Sequence, residues 1–272
     1  FDGGNTLVVL CEVLNPDGTP HETNTRSKLA SALEEYGNDM VFGIEQEYVI
    51  YDNKTGKPVG WKDEEPKPQG EYYCSVGSDK NAGRVLVDNH SIMCHRAGLS
   101  LSGTNAEVML GQWEYQIGPL YGMECADQLW VSRYLLQKQA EMLNGYISYD
   151  PKPMDGDWNG SGAHINFSTD FLRQVGGVEY IEEICDALEN EHETFMMVYG
   201  RDNEKRLTGK HETSHIDDFT YGACDRSASI RIPLATDKNN KGYLEDRRPA
   251  ANIDPYEAIT CLVEHTPRTP AE

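Results

Sequence analysis

The chain is 272 residues long, 38% hydrophobic, and carries a formal charge of −21. Such an excess of negative charge excludes polyanionic partners, nucleic acid and anionic membrane surfaces alike, and no run approaches the ~18 apolar residues of a membrane helix. Seven dispersed cysteines with no C-x-x-C pair exclude a disulfide scaffold or a thiolate zinc site and suit free thiols in a reducing, cytoplasmic setting.

The length fits one large domain, or one domain plus a fragment. The opening "FDGGNTLVVLCEV" has neither an initiator Met nor a signal-peptide pattern, and reads as the continuation of something upstream. Residues 5–14 read as a short apolar strand closed by the turn "NPDG" at 15–18. Leu29, Ala32, Leu33 and Tyr36 have helical spacing, which predicts a helix over 24–37 capped by Gly37. "VFGIEQEYVIYD" (41–52) alternates as a half-buried strand. Residues 53–83, rich in Gly, Pro and Lys, form a long surface loop of the kind that carries binding residues. A short helix near 85–97 precedes a hairpin over 99–119, stopped by Gly118-Pro119. Further helices are expected at 123–143 and 178–198, on either side of the Gly- and Asn-rich "DGDWNGSGAHINFS". The strand-like "SASIRIP" and "GYLEDRRP" follow. A last helix begins near Asp254 with Pro255 at its first position, where a missing amide costs least. Helices and strands mix without a βαβ rhythm, which predicts an α+β fold on a largely antiparallel sheet.

Glu45 and Glu47 stand two residues apart on the first of these strands. A strand repeats every two residues, so both carboxylates share a face, where they repel unless something positive lies between them. A second acidic pair, Glu107 and Glu114, flanks the hairpin connection. Glu245 lies in "GYLEDRRP", and His164 follows the glycine loop. Oxygen donors with one imidazole suit Mg²⁺ or Mn²⁺, and these residues divide into two three-ligand sites of the type that clamps a phosphorus centre. Taken singly each has a plainer reading: a strand Glu is usually a solvated edge or half of an ion pair, and a single His is usually a hydrogen-bonded core residue.

Arginines are few in this acidic chain, yet Arg206, Arg226, Arg231, Arg247 and Arg248 cluster beside Gly, Ser and Glu. Guanidinium groups hold carboxylate and phosphate in a bidentate fork, and either pair with the chain's own acids or stabilise a transferring phosphoryl group. The residues alone therefore reach a two-metal phosphoryl-transfer site, with a phosphoesterase still open.

The stretches "FGIEQEY", "PQGEYYCSVG", "GTNAEVMLGQWEYQIGP", "DPKPMDGDWNGSGAHINFST", "RLTGKHETS", "DRSASIRIP" and "GYLEDRRPAANIDPY" occur in one order over about 41–257. Together they resemble the type II, eukaryotic-like glutamine synthetase family, and several long motifs in compatible spacing are a specific signal. The resemblance implies a catalytic domain whose curved, largely antiparallel sheet, a part-barrel, is surrounded by helices. It implies ligation of ammonia to L-glutamate, driven by ATP, through γ-glutamyl phosphate. Glu47, Glu107 and Glu114 would hold one metal and Glu45, His164 and Glu245 the other, two or three ions of Mg²⁺ or Mn²⁺ per site. Asn159, Gly160, His164, Arg206 and Arg247 would contact substrate. Asn166, Ser168, Arg226 and Arg231 would lie at the ATP. Glu212, with Arg226 and Arg247, would act in catalysis, Glu212 closing over the site and accepting a proton from ammonium. A homodecamer of two pentameric rings with shared sites is also implied.

The family begins with a β-grasp domain, of which residues 1–22 would be the C-terminal remnant and 23–272 the catalytic domain. "FDGG" at 1–4 lacks the serines of the family's "FDGSST"-like segment, so Asp2 is given no role. Two other outcomes remain within the resemblance: a γ-glutamyl ligase for another amine, and an impaired homologue serving assembly.

Overall fold

The structure is a computed structural model that describes residues 6–62 and 66–269. Helix α1 (Thr25–Tyr36) starts where the Asn24 side chain accepts the Ser27 amide, and ends where Gly37, at φ 95°, returns its amide to the Leu33 carbonyl. Strand β1 is Val41–Asp52. After the long loop come α2 (Arg84–Arg96), the hairpin β2 (Leu101–Ala106) and β3 (Gln112–Tyr121), and α3 (Gly122–Met142). β4 (Gly145–Ser148) and β5 (Ala163–Ser168) precede α4 (Ile181–Asn190) and α5 (His192–Val198). β6 (Tyr221–Ala223), β7 (Ile230–Ile232), α6 (Leu234–Asn239), β8 (Leu244–Asp246) and α7 (Pro255–His265) complete the chain.

The strands form one eight-stranded sheet in the order β2-β3-β1-β5-β8-β7-β6, with β4 also paired to β1. Every pairing is antiparallel except β6 with β7, so the α+β, largely antiparallel reading holds. Side-chain alternation divides the sheet into two chemistries. Phe42, Ile44, Tyr48, Tyr115, Ile117, Ile165, Phe167, Ile230 and Leu244 belong to the core that helices α1, α3 and α7 close with Leu29, Leu129, Leu136, Ile259 and Leu262. The residues between them, Glu45, Glu47, Glu114, His164, Asn166, Arg231 and Glu245, leave by the other face. Packing one face on helices directs Glu45, Glu47 and Glu114 of β1 and β3, with His164 of β5, to the other.

Beneath the charged face the sheet is braced by two buried guanidiniums. Arg133 of α3 donates through Nε, at 2.8 Å, to the side-chain carbonyl of Gln46, the residue between the paired glutamates, and through Nη1 and Nη2 to the carbonyls of Ile253 and Ala251. Arg248 is fully buried against Asp246 (Nη2–Oδ2 2.6 Å), with Phe195, Tyr199 and Phe219 rings around it at 4.6–5.3 Å.

The structure differs from the sequence expectations in several places. The strand expected over 5–14 pairs with no strand among the described residues; residue 5 and "FDGG" lie outside them. Leu7, Val9, Leu10 and Val13 are exposed, and Leu14 makes only an isolated bridge to Pro20. A strand is defined by its ladder, and this segment has no ladder partner within the described chain. The turn after it is present, closed by the Gly18 amide on the Asn15 carbonyl. The helix expected over 178–198 is divided into a 3₁₀ turn (Gly177–Tyr180), α4 and α5. At the break His192 reaches the Ile216 carbonyl (2.7 Å) and Arg248 (3.1 Å). Finally, β4, β6 and α6 are too short for a periodic signal, while β5 had one, apolar Ala163, Ile165 and Phe167 alternating with His164, Asn166 and Ser168, inside a stretch that reads as loop.

Candidate active site

Glu45, Glu47, Glu114, His164 and Arg231 of that face meet in a cavity of about 330 Å³. Register explains the meeting. Glu45 stands opposite His164 on β5 and opposite Gln116 on β3; Glu47 stands opposite Glu114; Arg231 stands opposite Glu245. Glu107 follows β2, its amide donating to the Gln112 carbonyl across the hairpin end. Two trios result, Glu45–His164–Glu245 and Glu47–Glu107–Glu114, and within each the donor atoms lie within 4.8 Å of one another.

The trios differ electrically. In the first, His164 Nδ1 lies 3.5 Å from Glu45 and 3.3 Å from Glu245, while Arg247 (2.7 Å) and Arg231 contact the Glu245 carboxylate. Burial would raise the Glu245 pKa, but His164, Arg247 and Arg231 outweigh it and hold the group at about 2. Burial raises Glu45 likewise, and His164 with the Asn166 amide (2.8 Å) brings it below the ordinary value. Burial and Arg247 both disfavour protonated His164, yet its two carboxylate neighbours raise its pKa.

The second trio has no such partner. Among the described residues no ion pair reaches Glu47, Glu107 or Glu114; their partners are neutral. Glu47 accepts from the Gly162 amide (2.9 Å) and Gln112 (3.3 Å), Glu107 from Asn105 (2.9 Å), and Glu114 from Gln116. Burial, then Glu47 and Glu114, push Glu107 far above its ordinary value, and burial, then Glu45 and Glu47, bring Glu114 up to about 7. Three buried carboxylates that repel one another and offer only oxygen fit a hard divalent cation, which would remove that cost.

Arg206, Arg226, Arg231 and Arg247 line the same cavity, with Asn159, Gly160 and Glu212. Arg206 is buried, 3.0 Å from His164 Nε2 and from the Arg247 carbonyl, and burial lowers its pKa to about 10. Gly160 and Gly162 lie close against this arginine: a Cβ on Gly160 would come 2.5 Å from the Pro151 carbonyl oxygen and 2.7 Å from Arg206 Cγ, and one on Gly162 2.5 Å from its Nη2. Glu212 hangs over the cavity, its carboxylate 3.4 Å from Arg226 and its carbonyl accepting from Arg247 at 3.2 Å.

Thus five of the six metal-ligand candidates line one cleft with Arg206, Arg226, Arg231, Arg247, Asn159, Gly160 and Glu212; the sixth, Glu245, is buried directly behind them on His164 and Arg247, while Arg248 lies in the core. Asn166 and Ser168 do not line it; they line an adjoining cavity of about 500 Å³ with Ile44, Ser102 and Tyr243, joined to the first through the Asn166–Glu45 hydrogen bond. The Ser168 hydroxyl is spent on the Gly242 carbonyl. Tyr73, Cys74, Asn105, His211 and Thr213, absent from the sequence-based site, also line the cleft. Tyr73 and Cys74 are delivered by the long loop, which the Cys74 amide pins to the Ala106 carbonyl at the end of β2. Asn105 stands on β2 opposite Glu114; the other four are on irregular loops, to whose side chains periodicity gives no direction, so only their place inside the motif stretches pointed to them.

Known proteins are similar to this chain in sequence. Residues 22–174 match the family model described as glutamine synthetase, catalytic domain. The chloroplastic glutamine synthetase of Daucus carota is 47% identical over 270 residues, covering 98% of this chain and 62% of that protein. The cytosolic isozyme 2 of Vitis vinifera is 46% identical over 270 residues, with coverage of 98% and 76%. The glutamine synthetase of Amanita muscaria is 48% identical over 268 residues, with coverage of 98% and 75%. Set beside two carboxylate-rich trios and four arginines in one cleft, these matches show that the chain belongs to the glutamine synthetase family.

Proposed function

We propose that the protein ligates ammonia to L-glutamate at the expense of ATP, giving L-glutamine, ADP and phosphate through a γ-glutamyl phosphate. The observation that carries this reading is the juxtaposition of the two trios with Arg206, Arg226, Arg231 and Arg247 in a single cleft. Relatives named glutamine synthetase support it.

Glu45, His164 and Glu245 on one side, and Glu47, Glu107 and Glu114 on the other, would hold two divalent ions, Mg²⁺ or Mn²⁺, with room for a third in the family's pattern. When bound, such ions supply neutralisation of phosphate and carboxylate charge. The protein's own groups do the rest. Arg226, Arg231 and Arg247 offer guanidinium donors to the phosphates of ATP and to the transferring phosphoryl group. Asn159, Gly160 and Arg206 orient glutamate, Gly160 and Gly162 letting the backbone pass close against Arg206. Asn166 and Ser168 border the adjoining cavity, which we assign to the nucleotide. Glu212 attracts ammonium and takes the proton it must lose before its nitrogen can attack. An acyl phosphate hydrolyses if water reaches it, so the loop carrying Glu212 also serves as a cover.

We further place residues 1–22 as the end of a preceding domain and 23–272 as the catalytic domain. Exposed Leu7, Val9, Leu10 and Val13 then await partners outside the described chain, in keeping with a decamer of two pentameric rings whose sites are shared between neighbours. All seven cysteines are free, as suits a cytoplasmic protein, and no helix among the described residues is long and apolar enough to cross a membrane.

The decisive experiment measures phosphate release from ATP and Mg²⁺ with the complete protein, with and without glutamate and ammonium. Glutamine should form, and phosphate be released, only when all substrates are present. Release independent of glutamate and ammonium would overturn the ligase reading in favour of a phosphohydrolase.

A further inference from the structure

Three irregular segments converge at the mouth of the cleft: the long loop at Gln69, the glycine-rich loop at Asp157 and Asn159, and the segment carrying His211 and Glu212. His211 and Glu212 are consecutive residues at φ 54° and 62°, and Gln69 lies at φ 55°. L-residues enter that region only where surrounding contacts enforce it. Here the contacts are side chains that cross from loop to loop. Gln69 Nε2 donates to Asn159 Oδ1 at 2.6 Å and lies 3.4 Å from His211 Nδ1. His211 Nε2 lies 3.2 Å from Asp157 Oδ1.

The two ring nitrogens of His211 therefore have opposite tasks. Nδ1 faces an amide donor and must accept; Nε2 faces a carboxylate and must donate. One neutral tautomer, with its hydrogen on Nε2, satisfies both. The Glu212 segment is also held from inside the cleft, by Arg226 on its carboxylate and Arg247 on its carbonyl. Those are the guanidiniums that anionic substrates would engage, so their hold weakens when the cover is needed most. The ties from His211 to Asp157 and Gln69 cross to the opposing loops without using an anion-binding arginine.

We propose that His211, Asp157 and Gln69 form a clasp that keeps the Glu212 segment closed over the cleft while the arginines are occupied, and that water exclusion from the acyl phosphate depends on it. They are positioning residues, and the assignment rests on the ligase reading above. The test uses the complete protein as wild type, His211→Ala, Asp157→Ala and His211→Gln, the last retaining one donor and one acceptor. Phosphate released per glutamine formed, the KM for ATP, and hydrogen–deuterium exchange of 209–215 are measured. In both alanine variants the phosphate-to-glutamine ratio should rise roughly threefold or more and exchange should quicken about tenfold, with the ATP KM within about twofold. His211→Gln should restore the ratio. An unchanged ratio in both alanine variants, with or without faster exchange, overturns the water-excluding role. If the wild type makes no glutamine, the ligase reading fails, while unchanged exchange in the alanine variants would separately overturn the clasp.

Discussion

Glu47 and Glu114 stand directly opposite one another across the β1–β3 ladder, both buried and neither in an ion pair among the described residues. Like charges directly opposite on adjacent strands destabilise a sheet, and burial adds to the cost. With Glu107 completing the trio, the protein holds three carboxylates together at the expense of its own stability, which is the arrangement a divalent cation would relieve.

Replacing one of them should separate stability from binding. In metal-free protein, Glu114→Gln is expected to raise stability by about 1 kcal/mol, because it removes a cross-strand repulsion and keeps a hydrogen-bonding side chain. The same substitution should weaken Mn²⁺ binding by roughly tenfold or more, a loss at least as large as disturbing a ligand's support produces. Thermal denaturation with and without MnCl₂, together with calorimetric titration of the ion, reads both effects. A variant less stable without metal and unimpaired in binding it would contradict this account.

Below the sheet the strongest dependence falls on Arg248 and Asp246, both fully buried and joined at 2.6 Å. Alternation along "LEDRR" sends Glu245 and Arg247 into the cleft and Asp246 and Arg248 into the core. Arg248→Met leaves Asp246 charged with only the Tyr199 hydroxyl (2.8 Å) and the Arg248 backbone amide (3.0 Å). It is expected to destabilise the protein by about 3–5 kcal/mol. Arg248→Met combined with Asp246→Leu should recover part of that loss, since an apolar pair strands no charge. Urea unfolding of both variants measures the difference.

His90 predicts an acid limb in the stability profile. Its ring is fully buried, with Nε2 on the Ser132 carbonyl at 3.0 Å, Nδ1 unpartnered, and Tyr115 edge-on at 5.0 Å. Burial lowers its pKa from 6.5 to about 4. Between those values the unfolded chain binds the proton and the folded chain does not, so stability is complete above pH 6.5 and falls as the pH drops toward 4. By pH 5 this one group should cost about 2 kcal/mol. His90→Asn, which cannot titrate, should lose that much less between pH 7.5 and pH 5 in urea unfolding. An identical loss in both proteins would remove His90 from the acid response.

Much of the fold follows from local rules. Asn24 and Gly37 bound α1 because a cap and a left-handed glycine satisfy its free backbone groups, and Pro255 opens α7 beside Asp254, whose carboxylate accepts the Tyr256 amide. The sequence by itself also determined that Glu45 and Glu47 share a face, since a two-residue repeat allows nothing else, and its motif stretches carried the family. What surrounds those glutamates was decided by tertiary structure alone. Strand register set Glu47 against Glu114 and Glu45 against His164, and it moved Asn166 and Ser168 into the adjoining cavity. Loop closure over more than a hundred residues brought Gln69 to His211. Periodicity fixes which way a side chain leaves a strand, but a neighbour across a ladder or a cleft exists only once distant segments have packed.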